Sequence, residues 1–271
     1  MNPTETYSKR PRVCAVSYLN TQPLVWGLLK DPAQSQTFDL RFAVPSVCAD
    51  QLASGEADIG IVPVIEMARQ KLAHFSETGI ASYGPVRSIL LISKVPFREI
   101  LKLATDSGSR TSVMLARIIL AEQYGVEPQV FSHSPDLAAM LSVADAALLI
   151  GDAALRVDPA TLPFETLDLG EQWTELTNLP MVFAVWAGRK EVIVEPYGVA
   201  LAASCRYGLE HIEDIVRAEA TRRDFPEPLV REYLTRHIRF ELSDPHYTAI
   251  ETYLKYAEAL ERTVVPGSVS A

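Results

Sequence analysis

The fold is decided by residues 38–72, which read FDLRFAVPSVCADQLASGEADIGIVPVIEMARQKL. The turn signals in this stretch separate alternating strands and helices, predicted at Phe38–Val44 (strand), Val47–Ser54 (helix), Asp58–Val62 (strand) and Val64–Leu72 (helix). Ser46 is of a residue type that commonly caps the start of a helix, and Gly55 is of a type that ends one. Pro63 closes the predicted strand Asp58–Val62. This order predicts a βαβ unit and a parallel sheet.

The preceding residues extend the same pattern. We predict a buried strand at Val13 to Val16, followed by a turn at Ser17 to Asn20. A helix is predicted at Leu24 to Leu29, and Pro23 introduces it. In such sheets ligands bind beyond the carboxyl ends of the strands. We therefore predict substrate contacts at four residues near these ends: Ser17, Ser46, Pro63 and Val64.

A second stretch, TDSGSRTS at residues 105–112, follows the apolar run 100–104 and precedes the helical segment 113–120. A Gly/Ser/Thr turn that opens a helix presents unpaired N–H groups at the positive end of the helix dipole, where anions bind. The candidate ligands of a carboxylate or phosphate are Ser107, Ser109, Arg110, Thr111 and Ser112. Helix capping by Ser109 or Thr111 is the alternative. The spacing matches neither a Walker loop nor a dinucleotide-binding fingerprint.

Composition excludes several classes of function. The net charge of −9 and the pI near 5.1 disfavour nucleic acid or an anionic membrane as the main partner. The three cysteines are far apart and form no CxxC, so we expect buried thiols and neither disulfides nor a metal site. The start of the chain lacks the apolar core of a signal peptide, and we expect a cytoplasmic protein.

The rest of the chain predicts two α/β lobes with a ligand cleft between them. Further strands and helices fill residues 93–186, and helices predominate from Tyr197 onward. The apolar strands near residues 89–93 and 181–186 are interpreted as the two segments in which the chain crosses from one lobe to the other. The predicted lobes are therefore residues 1–92 with 187–271, including the C-terminal helices, and residues 93–186.

A set of motifs in residues 12–190 resembles the MqnA/MqnD family of menaquinone biosynthesis enzymes, and within it the chorismate dehydratases. The matching segments are 17–20 with 23–24, 55–63, 84–89, 106–112, 149–155, 168–173 and 177–186. Asn178 stands where the family pattern has Gly, and Asn also tolerates positive φ. The resemblance implies an α/β fold similar to the type II periplasmic solute-binding proteins.

The implied reaction removes water from chorismate and gives 3-[(1-carboxyvinyl)oxy]benzoate in the futalosine route to menaquinone, without a cofactor. Loss of the C3 proton and the C4 hydroxyl makes the ring aromatic. The protein must bind two carboxylates and exclude water. The helix start at residues 109–112 suits one carboxylate, and Asn20 and Ser88 suit the other through uncharged hydrogen bonds.

The general base is not evident from the residues. All five histidines lie outside the matching motifs, and Asp152, beside Gly151 at a predicted strand end, suits catalysis and helix capping equally. Asp106 is similar. We expect Glu56 and Asp58 to lie in a solvated turn and Arg87 to balance surface charge. Our hypothesis is that the enolpyruvyl carboxylate of the substrate, held by Asn20 and Ser88, takes the ring proton.

Two alternative functions remain open from the sequence. A solute receptor of the same shape would bind a small acid without chemistry. The second alternative is a futalosine-cleaving enzyme of the MqnD type. The pattern of those enzymes has a His where this chain has Gly151, and the absence of the His favours the dehydratase.

Overall fold

The structure is a computed structural model that describes residues 10–106, 108 and 110–263. Its strands are β1 Arg12–Val16, β2 Asp39–Ala43, β3 Ile59–Pro63, β4 Ala73–Ser82, β5 Ile89–Ser93, β6 Lys102–Asp106, β7 Gln129–His133, β8 Ala146–Ile150, β9 Glu165–Asp168, β10 Met181–Gly188 and β11 Arg239–Glu241. Its α-helices are α1 Gln22–Lys30, α2 Pro45–Ser54, α3 Val64–Arg69, α4 Arg110–Ile119, α5 Leu137–Val143, α6 Gly151–Leu155, α7 Leu169–Thr177, α8 Glu195–Glu210, α9 Ile212–Arg223, α10 Glu227–Glu232 and α11 Asp244–Thr263.

The chain forms two compact α/β units. The first comprises the described residues up to Ser82 together with Val182–Ser243, and the second comprises Tyr83–Met181 together with the described residues from Asp244. The predicted division at residues 92 and 187 differs from these units in three places. β5 is a strand of the second sheet, and β10 is a strand of the first. The last helix, α11, belongs to the second unit, where it packs on α4.

The first unit contains a six-stranded sheet in the order β11-β4-β10-β3-β1-β2. β1 is parallel to β2 and β3, as the βαβ pattern predicts, whereas β10 is antiparallel to β3. The central strands carry apolar side chains that are almost completely buried, including Ala15, Ile59, Ile61 and Trp186. Helix α8 packs on α1 over this sheet.

An ion pair joins three strands at the amino-terminal edge of β1 and β3. Arg12 donates to Asp58 through Nε and Nη2, at 3.0 and 2.8 Å, and through its backbone N–H at 2.9 Å. Arg189, which follows β10, lies 3.5 Å from the same carboxylate. The Asp58 side chain is 18% exposed, so the expectation of a solvated turn is wrong for Asp58, while Glu56 is exposed.

The second unit contains a five-stranded sheet in the order β7-β6-β8-β5-β9. β6 is parallel to β7 and β8, whereas β5 is antiparallel to β8 and β9. Helix α11 adds aromatic side chains to its core, because Tyr253 and Tyr256 make edge contacts with the ring of Trp173. In the described part of the chain, no helix is both long and apolar enough to cross a bilayer.

Candidate active site

In the first unit, the residues predicted to contact substrate lie at one edge of the sheet. Ser17 follows β1, Ser46 lies in the first turn of α2 after β2, and Pro63 and Val64 form the junction of β3 and α3. These three strands are parallel neighbours, so their carboxyl ends share an edge. Pro63 and Val64 are buried, which leaves Ser17, Asn20 and Ser46 as the partly exposed polar members of the set.

Ser46 is not the N-cap of α2, and that prediction is wrong. The helix begins one residue earlier, at Pro45, with Val44 in the extended N-cap position. Proline favours the first helical position because its missing N–H is not needed there. The hydroxyl of Ser46 is therefore placed inside the first turn. Gly55 ends the helix with φ +76°, as predicted.

The turn after β1 is held by residues from much later in the chain. Arg223 donates from Nη2 to the backbone carbonyl of Ser17 at 2.8 Å and from Nε to Glu219 at 2.8 Å. Asn20 donates from Nδ2 to the hydroxyl of Tyr233 at 3.1 Å. Burial lowers the pKa of the Arg223 guanidinium, and the neighbouring Tyr233 opposes that shift. Sequence reasoning missed these residues because no local pattern connects positions 206 or 213 residues apart.

In the second unit, Ser88, Gly151 and Asp152 come together. Because β5 and β8 are antiparallel, the start of β5 lies beside the end of β8, with Ile89 opposite Ile150. The N–H of Gly151 donates to the carbonyl of Ser88 at 2.8 Å. Ser88 is 1% exposed, and Gly151 has φ +57°. Asp152 lies in the first turn of α6, whose N-cap is Ile150, so Asp152 is not the cap.

Asp168 holds the loop that carries Ser88. Its carboxylate accepts hydrogen bonds from the backbone N–H groups of Val86 at 2.9 Å, Arg87 at 2.6 Å, Gly170 at 2.9 Å and Glu171 at 3.2 Å. Burial raises the pKa of this carboxyl, and the four hydrogen bonds offset part of that effect. Asp168 lies in one of the matching motifs, yet its motif alone did not indicate this role.

Arg87 is a structural residue of the same loop. It has φ +65°, and its guanidinium donates to the carbonyls of Ala154 at 3.1 Å and Val157 at 2.6 Å. The carbonyls belong to the end of α6 and the residues after it, where a helix leaves acceptors unsatisfied. The expectation that Arg87 only balances surface charge is therefore wrong.

The start of α4 lies at the same edge of the second sheet, because β6 is parallel to β8. Thr111 and Ser112 are buried there, and Arg110 is partly exposed. The carboxylate of Asp106 accepts the N–H of Gly108 at 2.9 Å, so this donor of the predicted anion site is occupied. Burial raises the pKa of Asp106. Ser107 and Ser109 lie outside the described residues.

Other titratable groups do not form a metal cluster in residues 10–106, 108 and 110–263, where no three His, Cys, Asp or Glu side chains converge. His74, His133 and His211 each place Nδ1 near a backbone carbonyl. All three cysteines are buried, as the sequence predicts.

The two units match proteins of the periplasmic-binding-protein class. Protein AF1704 from Archaeoglobus fulgidus superimposes with a TM-score of 0.76 at 17% identity, over 94% of this chain and 99% of that protein. The periplasmic aliphatic sulphonate binding protein SsuA from Escherichia coli gives a TM-score of 0.64 at 16% identity, over 95% and 89% of the two chains. The chain therefore has the fold of this class, as the sequence predicts.

The sequence comparison identifies the family. Residues 11–259 match the model of the menaquinone biosynthesis family. A protein of Thermus thermophilus named chorismate dehydratase is 30% identical over 280 aligned residues, covering 95% of this chain and 98% of that protein. The chain belongs to the menaquinone biosynthesis family.

Proposed function

We propose that this protein is a chorismate dehydratase, which converts chorismate into 3-[(1-carboxyvinyl)oxy]benzoate and water in the futalosine route to menaquinone. The observation that carries the proposal is the nearly full-length similarity to a chorismate dehydratase, within a family of menaquinone biosynthesis. The gathering of polar groups at one sheet edge in each unit supports it, because ligands of α/β sheets bind at such edges.

In the proposed reaction the C3–H bond and the C4–O bond of chorismate break, and the ring gains an aromatic sextet. The proton from C3 passes to the enolpyruvyl carboxylate of the same molecule. The carboxyl group then returns this proton to the departing C4 hydroxyl, which leaves as water, so the carboxylate is restored in the product. In this proposal Asn20 and Ser88 hold that carboxylate by uncharged hydrogen bonds. Uncharged donors bind a carboxylate without removing its basicity as fully as an arginine would.

The second carboxylate is assigned to the start of α4, where Arg110, Thr111 and Ser112 follow the positive end of the helix. Ser17, Ser46, Pro63, Val64 and Gly151 complete the proposed binding surfaces, and Asp152 is the alternative catalytic carboxylate. Burial of Ser88 and Thr111 keeps these hydrogen bonds away from competing water.

The test is incubation of purified protein with chorismate, without added cofactor, followed by identification of the product by mass spectrometry. We expect an aromatic product lighter than chorismate by one water. Asn20→Ala and Ser88→Ala should each lose turnover by about a hundredfold or more, in the range of a lost catalytic hydrogen bond. Asp152→Asn should retain most activity, and the opposite ranking would refute the substrate-assisted mechanism.

The fold shared with SsuA, a binding protein, favours one rival function. A receptor for a small acid would bind chorismate or the aromatic product without turnover. Calorimetric binding together with an unchanged chorismate spectrum would support the receptor and contradict the dehydratase.

A further inference from the structure

The amide of Asn20 has one half held by the protein and the other half without a partner. Nδ2 donates to the hydroxyl of Tyr233 at 3.1 Å. Oδ1 is buried and has no hydrogen-bond partner among the described residues. A buried carbonyl without a donor costs free energy of about 1–3 kcal/mol, so a bound ligand that supplies a donor would recover it.

Tyr233 is suited to fix this amide. It is 1% exposed, and it belongs to the π-helical turn Tyr233–His237 that continues α10. The side chain has only two rotatable torsions, and its burial restricts both. The amide of Asn20 is flanked by Ser17, whose carbonyl is held by Arg223. Both ends of the turn after β1 are therefore anchored, and the direction of the amide oxygen is set by Tyr233.

We propose that Tyr233 is a positioning residue that orients Asn20 so that Oδ1 accepts a hydrogen bond from the hydroxyl of the substrate. This inference rests on the proposed function. Chorismate carries two carboxylates, which only accept hydrogen bonds at neutral pH, and one hydroxyl, which can donate. The amide oxygen therefore selects the hydroxyl, and the second N–H of Nδ2 remains for the enolpyruvyl carboxylate.

The arrangement makes Asn20 a specificity residue for the leaving group. The aromatic product has lost the hydroxyl, so it leaves Oδ1 without a donor again. A site built to pair a buried polar group discriminates strongly against a ligand that lacks the partner. The protein should thus bind chorismate more tightly than its product, which favours product release.

The kinetic test uses Tyr233→Phe, which removes the hydroxyl and keeps the ring. We expect kcat/KM for chorismate to fall about five- to tenfold, the effect of one hydrogen bond. The inhibition constant of the product should change by a smaller factor, because the product keeps its carboxylate contact with Nδ2 but does not use Oδ1. A loss of chorismate and product affinity in equal proportion would indicate a structural role and overturn the proposal.

Tyr83→Phe is the matched control. The hydroxyl of Tyr83 also bonds an asparagine, donating to Oδ1 of Asn178 at 3.3 Å, but Tyr83 is 56% exposed and has no part in the proposed site. Its kcat/KM should remain within twofold of the wild type. A Tyr233→Phe enzyme that behaves like this control would refute the positioning role.

A measurement without substrate separates this inference from the proposed function. The chain has three asparagines, Asn2, Asn20 and Asn178, so ¹⁵N-asparagine labelling gives three side-chain amide pairs, which Asn20→Asp and Tyr83→Phe assign. In the wild type, one Nδ2 proton of Asn20 should be protected from exchange, and Tyr233→Phe should lose the protection. Rapid exchange of both protons in the wild type would overturn the inference, whereas absence of chorismate turnover by wild type would overturn the proposed function.

Discussion

At the scale of single residues, side chains remote from the proposed chemistry determine where the reactive groups lie. Asp168 is the clearest case, because one partly buried carboxylate accepts four backbone N–H groups from two separate segments. Two of them belong to the loop before Ser88, and two belong to the first turn of α7. One side chain therefore couples the position of Ser88 to the N-terminus of α7, which begins 81 residues later in the sequence.

Replacement of Asp168 by Ala should lower the free energy of unfolding by about 3 kcal/mol, because four backbone donors, three of them partly buried, lose their acceptor together. Urea titration followed by circular dichroism measures this change. Asp136→Ala is the control, since Asp136 is the N-cap of α5 and accepts one N–H, from Ala139, at an exposed position. Asp136→Ala should lower the free energy of unfolding by only about 1 kcal/mol. Equal losses in the two variants would contradict the anchoring role of Asp168.

At the scale of elements, helices α1 and α8 meet through glycines. A Cβ atom on Gly208 would lie 2.1 Å from the carbonyl oxygen of Pro23, and one on Gly27 would lie 2.6 Å from the Cα of Ser204. Ser204 also accepts the N–H of Leu28 at 3.1 Å. The two backbones approach so closely that no side chain fits at these positions. This contact fixes α1, which continues directly from the turn that bears Asn20.

Gly208→Ala should therefore destabilise the first unit by about 2 kcal/mol, despite the better helix propensity of alanine. Gly198→Ala, in the same helix, is the matched control. Its Cβ would lie 3.0 Å from Cδ1 of Phe75, a side chain that can shift. We expect Gly198→Ala to lower the free energy of unfolding by less than about 1 kcal/mol. Thermal melts of both variants make the comparison, and equal midpoints would exclude the close backbone packing.

The sequence predicts those elements whose signals are local. The parallel strands β1, β2 and β3 follow from apolar runs separated by Pro and Gly, and the stop at Gly55 follows from its tolerance of positive φ. The start of α2 is mispredicted because Pro45 and Ser46 both carry helix-start signals, and proline takes the first position. The place of α11 could not be predicted, since an amphipathic helix indicates one buried face and not which core covers it.

At the scale of the whole molecule, charges far apart in the chain bring its segments into register. Arg12 lies in β1, Asp58 directly precedes β3 and Arg189 directly follows β10, and the three side chains meet at one sheet edge. The hydrogen bond from Arg12 lowers the pKa of Asp58 despite partial burial. No sequence pattern indicates this contact, so the candidate site was predicted at its strand ends while its supporting network was not.

The lowered pKa of Asp58 predicts an acid-sensitive contribution to stability. The ionised carboxylate stabilises the fold above its unfolded pKa of about 3.9, and this contribution disappears as the pH falls through the lower folded value. Asp58→Asn should cost about 1 kcal/mol at pH 7, after allowance for solvent screening, and progressively less below pH ~4. Urea unfolding across this pH range measures the effect. The control is Asp214→Asn, which removes an exposed partner of Arg217. Its loss of stability at pH 7 should be smaller than that of Asp58→Asn.

The order of strands in the first sheet has a consequence for synthesis on the ribosome. β10 lies between β3 and β4, yet it is translated after every strand of the second sheet. Until residue 188 emerges, a nascent chain exposes the facing edges of β3 and β4, and such edges are prone to wrong pairing. The second unit in turn waits for α11, which is translated after all of its strands. Neither core can close before these later segments emerge, so folding of each unit is coupled to synthesis of residues far along the chain.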